Sequence, residues 1–65
     1  MNEADLLRLH DEANEPPPVT VKATDYVYDG WLMSVFNKRS GAVRCVVEDE
    51  NGRLFIHNAS QIRKR

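Results

Sequence analysis

The chain has 65 residues, of which 42% are hydrophobic and 29% are charged, and its formal net charge is −1. From this length we expect a single domain with a small core, because a domain of about 60 residues buries only about 60% of the surface that its unfolded chain exposes. The single cysteine, Cys45, excludes an intrachain disulfide, and the two histidines are not spaced as zinc ligands.

Domains of this size that lack disulfides and metals are often stabilised by self-association. We therefore expect a homo-oligomer, either a dimer or a tetramer, and no metal site. The sequence contains no secretory signal pattern and no apolar run of the roughly 18 residues needed to span a bilayer. We expect a cytoplasmic protein with no membrane partner.

The charges are distributed unevenly along the chain. Residues 1–18 contain five acidic side chains and one basic side chain, a net charge of −4, whereas residues 19–65 contain eight basic and five acidic side chains, a net charge of +3. A charge of +3 is too small to indicate nucleic-acid binding unless the basic residues form one face. The first 18 residues are thus an acidic segment before a mildly basic domain.

The first segment of the chain predicts a marginal helix. Residues 3–14 are mostly strong helix formers and Asn2 is a possible cap, but isolated helices of this length are barely stable in water. The three prolines at residues 16–18 then favour an extended spacer. We expect a frayed helix or a disordered tail over residues 1–18, followed by a folded domain over residues 19–65.

From residue 19 onward the pattern is typical of short strands. Val-Thr-Val at residues 19–21 and Tyr-Val-Tyr at residues 26–28 are followed by Asp29-Gly30, a turn signal. An apolar run at residues 31–36 leads into a polar loop at residues 37–41. Residues 42–48 then alternate, with Val43, Cys45 and Val47 on one face.

The Asn51-Gly52 pair predicts a hairpin with a type I′ turn, in which both central residues have positive φ. Residues 53–57 are the return strand, with Leu54 and Ile56 predicted on the core face and Phe55 and His57 on the opposite face. Residues 58–62 predict a capped single helical turn that places Ile62 on the core.

These elements predict an all-β domain, an SH3-like barrel of four to five short strands with a terminal 3₁₀ turn. The predicted core consists of Leu32, Val43, Cys45, Val47, Leu54, Ile56 and Ile62. This assignment leaves Trp31, Met33, Val46 and Phe55 on other faces, and a contiguous apolar patch of that kind indicates a partner surface. Cys45 is predicted to be a small buried hydrophobic residue without a nucleophilic role.

From residue 21 to residue 63 the sequence resembles the plasmid-borne type II dihydrofolate reductases. Lys22 matches their active-site lysine, and Tyr-Asp-Gly-Trp-Leu-Met at residues 28–33 looks like their second strand. Val47-Glu48 and Glu50 match in the hairpin, and Leu-Phe-Ile-His at residues 54–57 falls where the family has Val-Gln-Ile-Tyr. The resemblance implies an SH3-like chain that assembles as a tetramer, with Lys22 and residues 54–57 lining a pore that binds NADPH.

In that family the glutamine of the tetrapeptide contacts nicotinamide and pterin, and the tyrosine helps to hold the cofactor. Here these positions are Phe55 and His57. Phenylalanine has no amide donor or acceptor, and such enzymes act by orienting cofactor and substrate. The residues therefore favour a binding module over a reductase.

Three functional interpretations follow. The first is a small module without a cofactor that self-associates or binds a protein or peptide, through a surface formed by Lys22, Trp31, Met33, Phe55, Ile56 and His57. The second is an oligomeric NADPH-dependent reductase of the type II dihydrofolate reductase kind. The third and weakest is nucleic-acid binding, through Lys38, Arg39, Arg44, Arg63 and Lys64.

Overall fold

The fold is one antiparallel sheet of five strands accompanied by a short helix, in a computed structural model that describes residues 1–65. The order along the chain is α1 (Glu3–Glu12), β1 (Pro18–Lys22), β2 (Val27–Asn37), β3 (Val43–Asp49), β4 (Leu54–Asn58), a 3₁₀ turn (Ala59–Gln61) and β5 (Ile62–Lys64). In the sheet the strands lie in the order β4-β3-β2-β1-β5. The predicted all-β class, the strand number and the terminal 3₁₀ turn are confirmed. The SH3-like description is supported only by this strand order and by the position of the turn.

The core lies on one face of the sheet, which is covered by α1. The alternation in β3 is confirmed, because Val43, Cys45 and Val47 are buried and their sequence neighbours are not. Such alternation is the consequence of the two-residue period of a strand. The nine buried hydrophobic residues are Leu6, Val19, Val21, Leu32, Val43, Cys45, Val47, Ala59 and Ile62. No helix is long and apolar enough to cross a membrane.

The predicted faces of β4 are wrong. Phe55 pairs with Val47 and His57 pairs with Cys45, so that these two side chains lie on the core face of the sheet. Leu54 and Ile56, which we expected in the core, are 61% and 64% exposed, whereas His57 is only 4% exposed. A shift of one residue in strand register moves every side chain to the other face, and the β3–β4 turn is the source of that shift.

The β3–β4 turn has three residues, and the type I′ turn predicted for it is wrong. No residue other than glycine has positive φ, so Asn51 is excluded from the required conformation, whereas Gly52 has φ of 81°. The backbone N–H of Asp49 donates to the Arg53 carbonyl at 2.9 Å, and that of Gly52 donates to the Asp49 carbonyl at 3.1 Å. A glycine with positive φ closing a three-residue loop is a common hairpin form that adds one residue to the connection.

Strand β2 runs without interruption through Asp29 and Gly30, where the sequence predicted a turn. Gly30 is paired on both sides, with Val19 of β1 and with Asp49 of β3. A Cβ atom at this position would collide with the backbone carbonyl oxygen of Glu48. The glycine therefore allows close approach of β3 and is not a turn residue.

Helix α1 is packed on the sheet. Asn2 caps it, since its side-chain Oδ1 accepts the backbone N–H of Asp5 at 2.8 Å. Leu6 is fully buried in the core, and the Glu3 carboxylate accepts the backbone N–H of Val43 at 3.2 Å. The acidic segment thus contributes to the core. The sequence predicted a frayed helix or a disordered tail instead, because a short helix in isolation cannot bury its apolar face.

The proline spacer connects this helix to the sheet. Pro17 is buried, and its carbonyl oxygen accepts the backbone N–H of Leu32 at 2.9 Å. Pro18 is the first residue of β1, at the position where the sequence separated the acidic segment from the domain. A proline fits there because it has no N–H to leave unpaired at the start of a strand.

Candidate functional site: an aromatic cleft

A cleft of about 370 Å³ opens beside the first residues of β2 and β4. Its lining residues are Tyr26, Val27, Tyr28, Asp49, Arg53 and Phe55. Strand β3 lies between β2 and β4, so the pairing of both strands with β3 brings these side chains together. A concave site with several aromatic walls and a few polar groups is the usual form of a binding site.

Three rings that line this cleft form one aromatic cluster with the buried His57, and we call the cleft the aromatic cleft. Tyr26 is stacked on Tyr28 with ring centroids 5.9 Å apart, and Phe55 meets Tyr28 edge to face at 5.8 Å. His57 is behind them, with its ring centroid 5.7 Å from that of Tyr28. These separations are typical of favourable aromatic pairs. Tyr26 is 52% exposed and Phe55 is 38% exposed, so the outer rings are accessible to a ligand.

Beneath the aromatic cleft, the side chains of Tyr28 and His57 form a hydrogen bond. The Tyr28 hydroxyl and His57 Nε2 are 2.6 Å apart. Desolvation by burial lowers the pKa of His57, although a hydrogen bond to Gln61 opposes the shift. Desolvation also raises the pKa of Tyr28 to about 12, with contributions from the nearby Tyr26, Asp49 and Cys45. Both groups are therefore neutral near pH 7, and the bond holds the Tyr28 ring in place.

Asp49 and Arg53 form an ion pair at the rim of the aromatic cleft. Asp49 Oδ1 accepts the backbone N–H groups of Asn51 and Arg53, each at 2.9 Å, and its Oδ2 accepts Arg53 Nε at 2.9 Å. Desolvation by burial raises the pKa of Asp49, but these hydrogen bonds outweigh it and hold the pKa below its usual value. The Arg53 guanidinium lies over the Phe55 ring, with Cζ 5.6 Å from the centroid.

The position of His57 predicts a loss of stability in mild acid. Below pH 6.5, the ordinary pKa of histidine, His57 takes up a proton in the unfolded chain, whereas in the folded chain its lowered pKa keeps it neutral. Proton uptake by the unfolded state alone favours unfolding. We expect the free energy of unfolding, measured by urea denaturation, to decrease as the pH falls from 6.5 to the folded pKa of His57.

Two variants identify the residue responsible for this acid effect. In His57→Gln the decrease below pH 6.5 is expected to disappear, because no group at this position titrates there. In His10→Gln, a change on the helix, the decrease is expected to persist. A wild-type free energy of unfolding that stays constant across this interval contradicts the prediction.

The structure separates the residues that we predicted to form one binding surface. Phe55 belongs to the aromatic cleft and His57 is buried beneath it. Trp31 and Met33 lie elsewhere, around a shallow depression that they share with Glu15, Pro16 and Glu48. Ile56 is exposed on the opposite face of β4 from Phe55. The burial of His57 corrects the expectation that its ring is on an outer face.

The remaining predicted binding residues do not form one surface. Lys22 is exposed at the end of β1, where it pairs with Val27. Among the basic residues, Lys38 and Arg39 lie in the β2–β3 turn and Arg44 is on β3. Arg63 and Lys64 are on β5, separated from β3 by two strands. Arg63 Nη1 also donates to the carbonyls of Ser60 and Ile62, at 3.0 and 3.1 Å. Nucleic-acid binding stays a prediction that this placement does not favour.

Cys45 is buried as predicted. Desolvation by burial raises the pKa of its thiol to about 11, and the thiol donates a hydrogen bond to the His57 carbonyl oxygen, with 3.6 Å between sulfur and oxygen. A thiol with such a pKa is protonated at neutral pH and is a poor nucleophile. No group of three or more His, Cys, Asp and Glu side chains is arranged to hold a metal ion.

The sequence interpretation did not identify Tyr26, Tyr28 and Arg53 as residues of one site. The two tyrosines are separated by one residue at the start of a strand, so the period of two places them on the same face. That spacing could have identified the two tyrosines as neighbours on one face. No sequence pattern could have identified Arg53, because its position depends on the register of the hairpin. Comparisons with family models, curated proteins and solved structures find no match to this chain, so the site rests on its own geometry.

Proposed function

We propose that the protein is a binding module without catalytic activity, which holds an extended, proline-rich segment of a partner protein in the aromatic cleft. The observation that supports this proposal is the convergence of Tyr26, Tyr28 and Phe55 with the Arg53 side chain on one accessible cleft. This proposal keeps the binding module predicted from the sequence. Its binding residues differ from the predicted ones, except for Phe55.

The aromatic walls favour a polyproline II segment. Such a segment has no internal hydrogen bonds, and its backbone is already extended, so that little conformational entropy is lost on binding. Aromatic-lined grooves are a recurrent site for proline-rich peptides. Tyr26 is an exposed residue, and its hydroxyl is a donor suited to a peptide carbonyl.

The charges of the aromatic cleft favour an acidic partner. Both oxygens of Asp49 accept hydrogen bonds from within the chain, which leaves no free carboxylate to hold a cation. The terminal amino groups of Arg53, by contrast, form no hydrogen bond within the chain, and its side chain is 65% exposed. A guanidinium with free donors binds a carboxylate well. We therefore propose a proline-rich segment that carries an aspartate or glutamate.

A titration followed by NMR chemical shifts of the backbone amides tests this proposal. The probes are three polyproline peptides of equal length, which carry one glutamate, one lysine or one trimethyl-lysine. We expect the glutamate peptide to bind most tightly and to shift the resonances around Tyr26, Arg53 and Phe55. We expect Tyr26→Ala to weaken this binding about tenfold or more, as aromatic anchors commonly do.

Matched variants separate the contributions to this binding. Arg53→Ala is expected to reduce the preference for glutamate over lysine, because it removes the free guanidinium. Lys38→Ala, an exposed substitution in the β2–β3 turn, is expected to leave binding unchanged. If the trimethyl-lysine peptide binds best, or if Tyr26→Ala has the wild-type affinity, the proposal is wrong.

The NADPH-dependent reductase implied by the resemblance is the second proposal. The observation in its favour is that β4 ends the sheet and exposes Leu54 and Ile56, where copies of the chain can meet. Against it, the burial of His57 removes from the surface one of the side chains that should line the pore. An NMR titration with NADPH tests it, since the proposal requires shifts at Lys22 and along β4.

A further inference from the structure

The face of β2, β3 and β4 opposite the core has exposed side chains on β2 and β4 and half-buried ones on β3, and strand pairing arranges them in three rows. We call it the outer face. The first row is Trp31, Glu48 and Leu54; the middle row is Ser34, Val46 and Ile56; the third row is Phe36, Arg44 and Asn58. Trp31 and Phe36 are each 37% exposed, and Leu54 and Ile56 are each more than 60% exposed. Exposed apolar side chains contiguous over three strands mark an interaction surface.

A β-bulge in β2 creates this arrangement. The pairing with β3 skips Met33, because Leu32 pairs with Val47 and Ser34 pairs with Val46. Trp31 and Phe36 are five residues apart and would lie on opposite faces of a regular strand. The additional residue at Met33 places both on the outer face, at equal distances from the middle row.

The outer face has an approximate two-fold pattern centred on Val46. Along β3, Arg44 and Glu48 lie two residues to either side of Val46, about 7 Å away at the usual rise of a strand. Along β2 the two aromatic residues lie in the same two rows as these charges. Consider an axis that is parallel to the sheet, runs across the strands and passes over Val46. A half-turn about this axis exchanges the first row with the third.

This pattern makes the β2 and β3 parts of the outer face complementary to themselves. When two copies meet face to face across that axis, Arg44 of each copy lies over Glu48 of the second copy, and Trp31 lies over Phe36 of the second copy. Val46 and Ile56 each meet their own counterparts. A two-fold interface is formed by the same surface on both subunits and needs such self-complementarity. Neither Arg44 nor Glu48 has an ion pair within its own chain.

We propose that the outer face is the interface of a symmetric homodimer, whose two-fold axis passes through Val46. Opposite charges and aromatic residues at equal distances from a centre favour a second copy of this chain over an unrelated partner. The small core of a 65-residue chain is a second reason, because domains of this size gain stability from a partner subunit. This inference does not depend on the proposed function, since the aromatic cleft is on the other face of β4.

Charge exchange at Arg44 and Glu48 tests the dimer. We expect wild-type protein to sediment as a dimer in analytical ultracentrifugation. Arg44→Glu places two pairs of carboxylates in contact across the axis, and Glu48→Arg places two pairs of guanidinium groups there. Each change is expected to raise the dissociation constant about tenfold or more. The double variant Arg44→Glu/Glu48→Arg restores opposite charges at both contacts and is expected to dimerise with nearly wild-type affinity.

The double variant also distinguishes loss of the interface from loss of folding. Circular dichroism of each single variant should show the same folded spectrum as the wild type, and Lys38→Glu, a charge reversal in the β2–β3 turn, should leave the dimer intact. A wild-type protein that stays monomeric at every concentration overturns the proposal and leaves the outer face for another partner. A double variant that dimerises no better than the single variants overturns it too.

Discussion

Replacing Leu6 by alanine is expected to lower the free energy of unfolding by about 2–5 kcal/mol, the usual cost of a large-to-small substitution in a core. Leu6 is fully buried among the strands although it belongs to α1. Alanine is a better helix former than leucine, so helix propensity opposes this loss, and the entire decrease must come from packing. Urea denaturation followed by circular dichroism measures the effect.

The expected loss is large relative to the whole stability of the domain. Native proteins are stabilised by about 0.05–0.15 kcal/mol per residue, which corresponds to about 3–10 kcal/mol for a chain of this length. Leu6→Ala therefore removes a large share of the stability of the domain. Deletion of α1 is expected to have the same consequence, because the sheet would expose the apolar surface that Leu6 covers.

Leu7→Ala is the matched control, since it makes the same change in the same helix. Leu7 is only partly buried and is not part of the core cluster, so we expect a loss well below that of Leu6→Ala. If the two variants are equally stable, α1 does not belong to the core, and the acidic segment is a tail as the sequence alone suggested.

Gly30→Ala is expected to destabilise the protein by about 3 kcal/mol, at the upper end of the cost of overpacking a well-packed site. The added methyl group would collide with the backbone carbonyl oxygen of Glu48 and would lie 2.8 Å from Val47 Cγ1. A backbone carbonyl cannot rotate away as a side chain can, so β2 and β3 must separate locally. Thermal or urea unfolding measures this loss.

Gly41→Ala provides the comparison for this change. Gly41 has φ of 92° and no atom within 4 Å of an added Cβ, so its substitution involves backbone strain without a collision. That strain costs about 1–2 kcal/mol. We expect Gly30→Ala to be the less stable of the two variants. The opposite order would show that β3 can move away from Gly30 at little cost.

The sheet gives the protein two separate surfaces for its proposed interactions. The aromatic cleft lies where the core face reaches the edge of the sheet, and the outer face lies behind it. Because β4 contributes Phe55 to the first and Ile56 to the second, neighbouring residues belong to different proposed surfaces. Peptide binding and dimer formation can thus be tested with substitutions that do not interfere with each other.

The sequence alone determined the all-β class, the core face of β3 and the terminal 3₁₀ turn. These predictions depend on local properties. The alternation of Val43, Cys45 and Val47 with polar residues defines one buried face regardless of what packs against it. The polar loop before Gly41 also ends β2 where predicted, since its turn residues have strong local preferences.

The tertiary structure alone decided which side chains form the two surfaces. Leu54, Phe55 and Ile56 are all apolar, so alternation could not distinguish the faces of β4, and one additional residue in the turn exchanged them. The bulge at Met33 similarly placed Trp31 and Phe36 on one face. Helix α1 is marginal in isolation and is stabilised by burying Leu6 against the sheet. In each case the free energy comes from contacts between segments distant in the chain, which local sequence preferences do not contain.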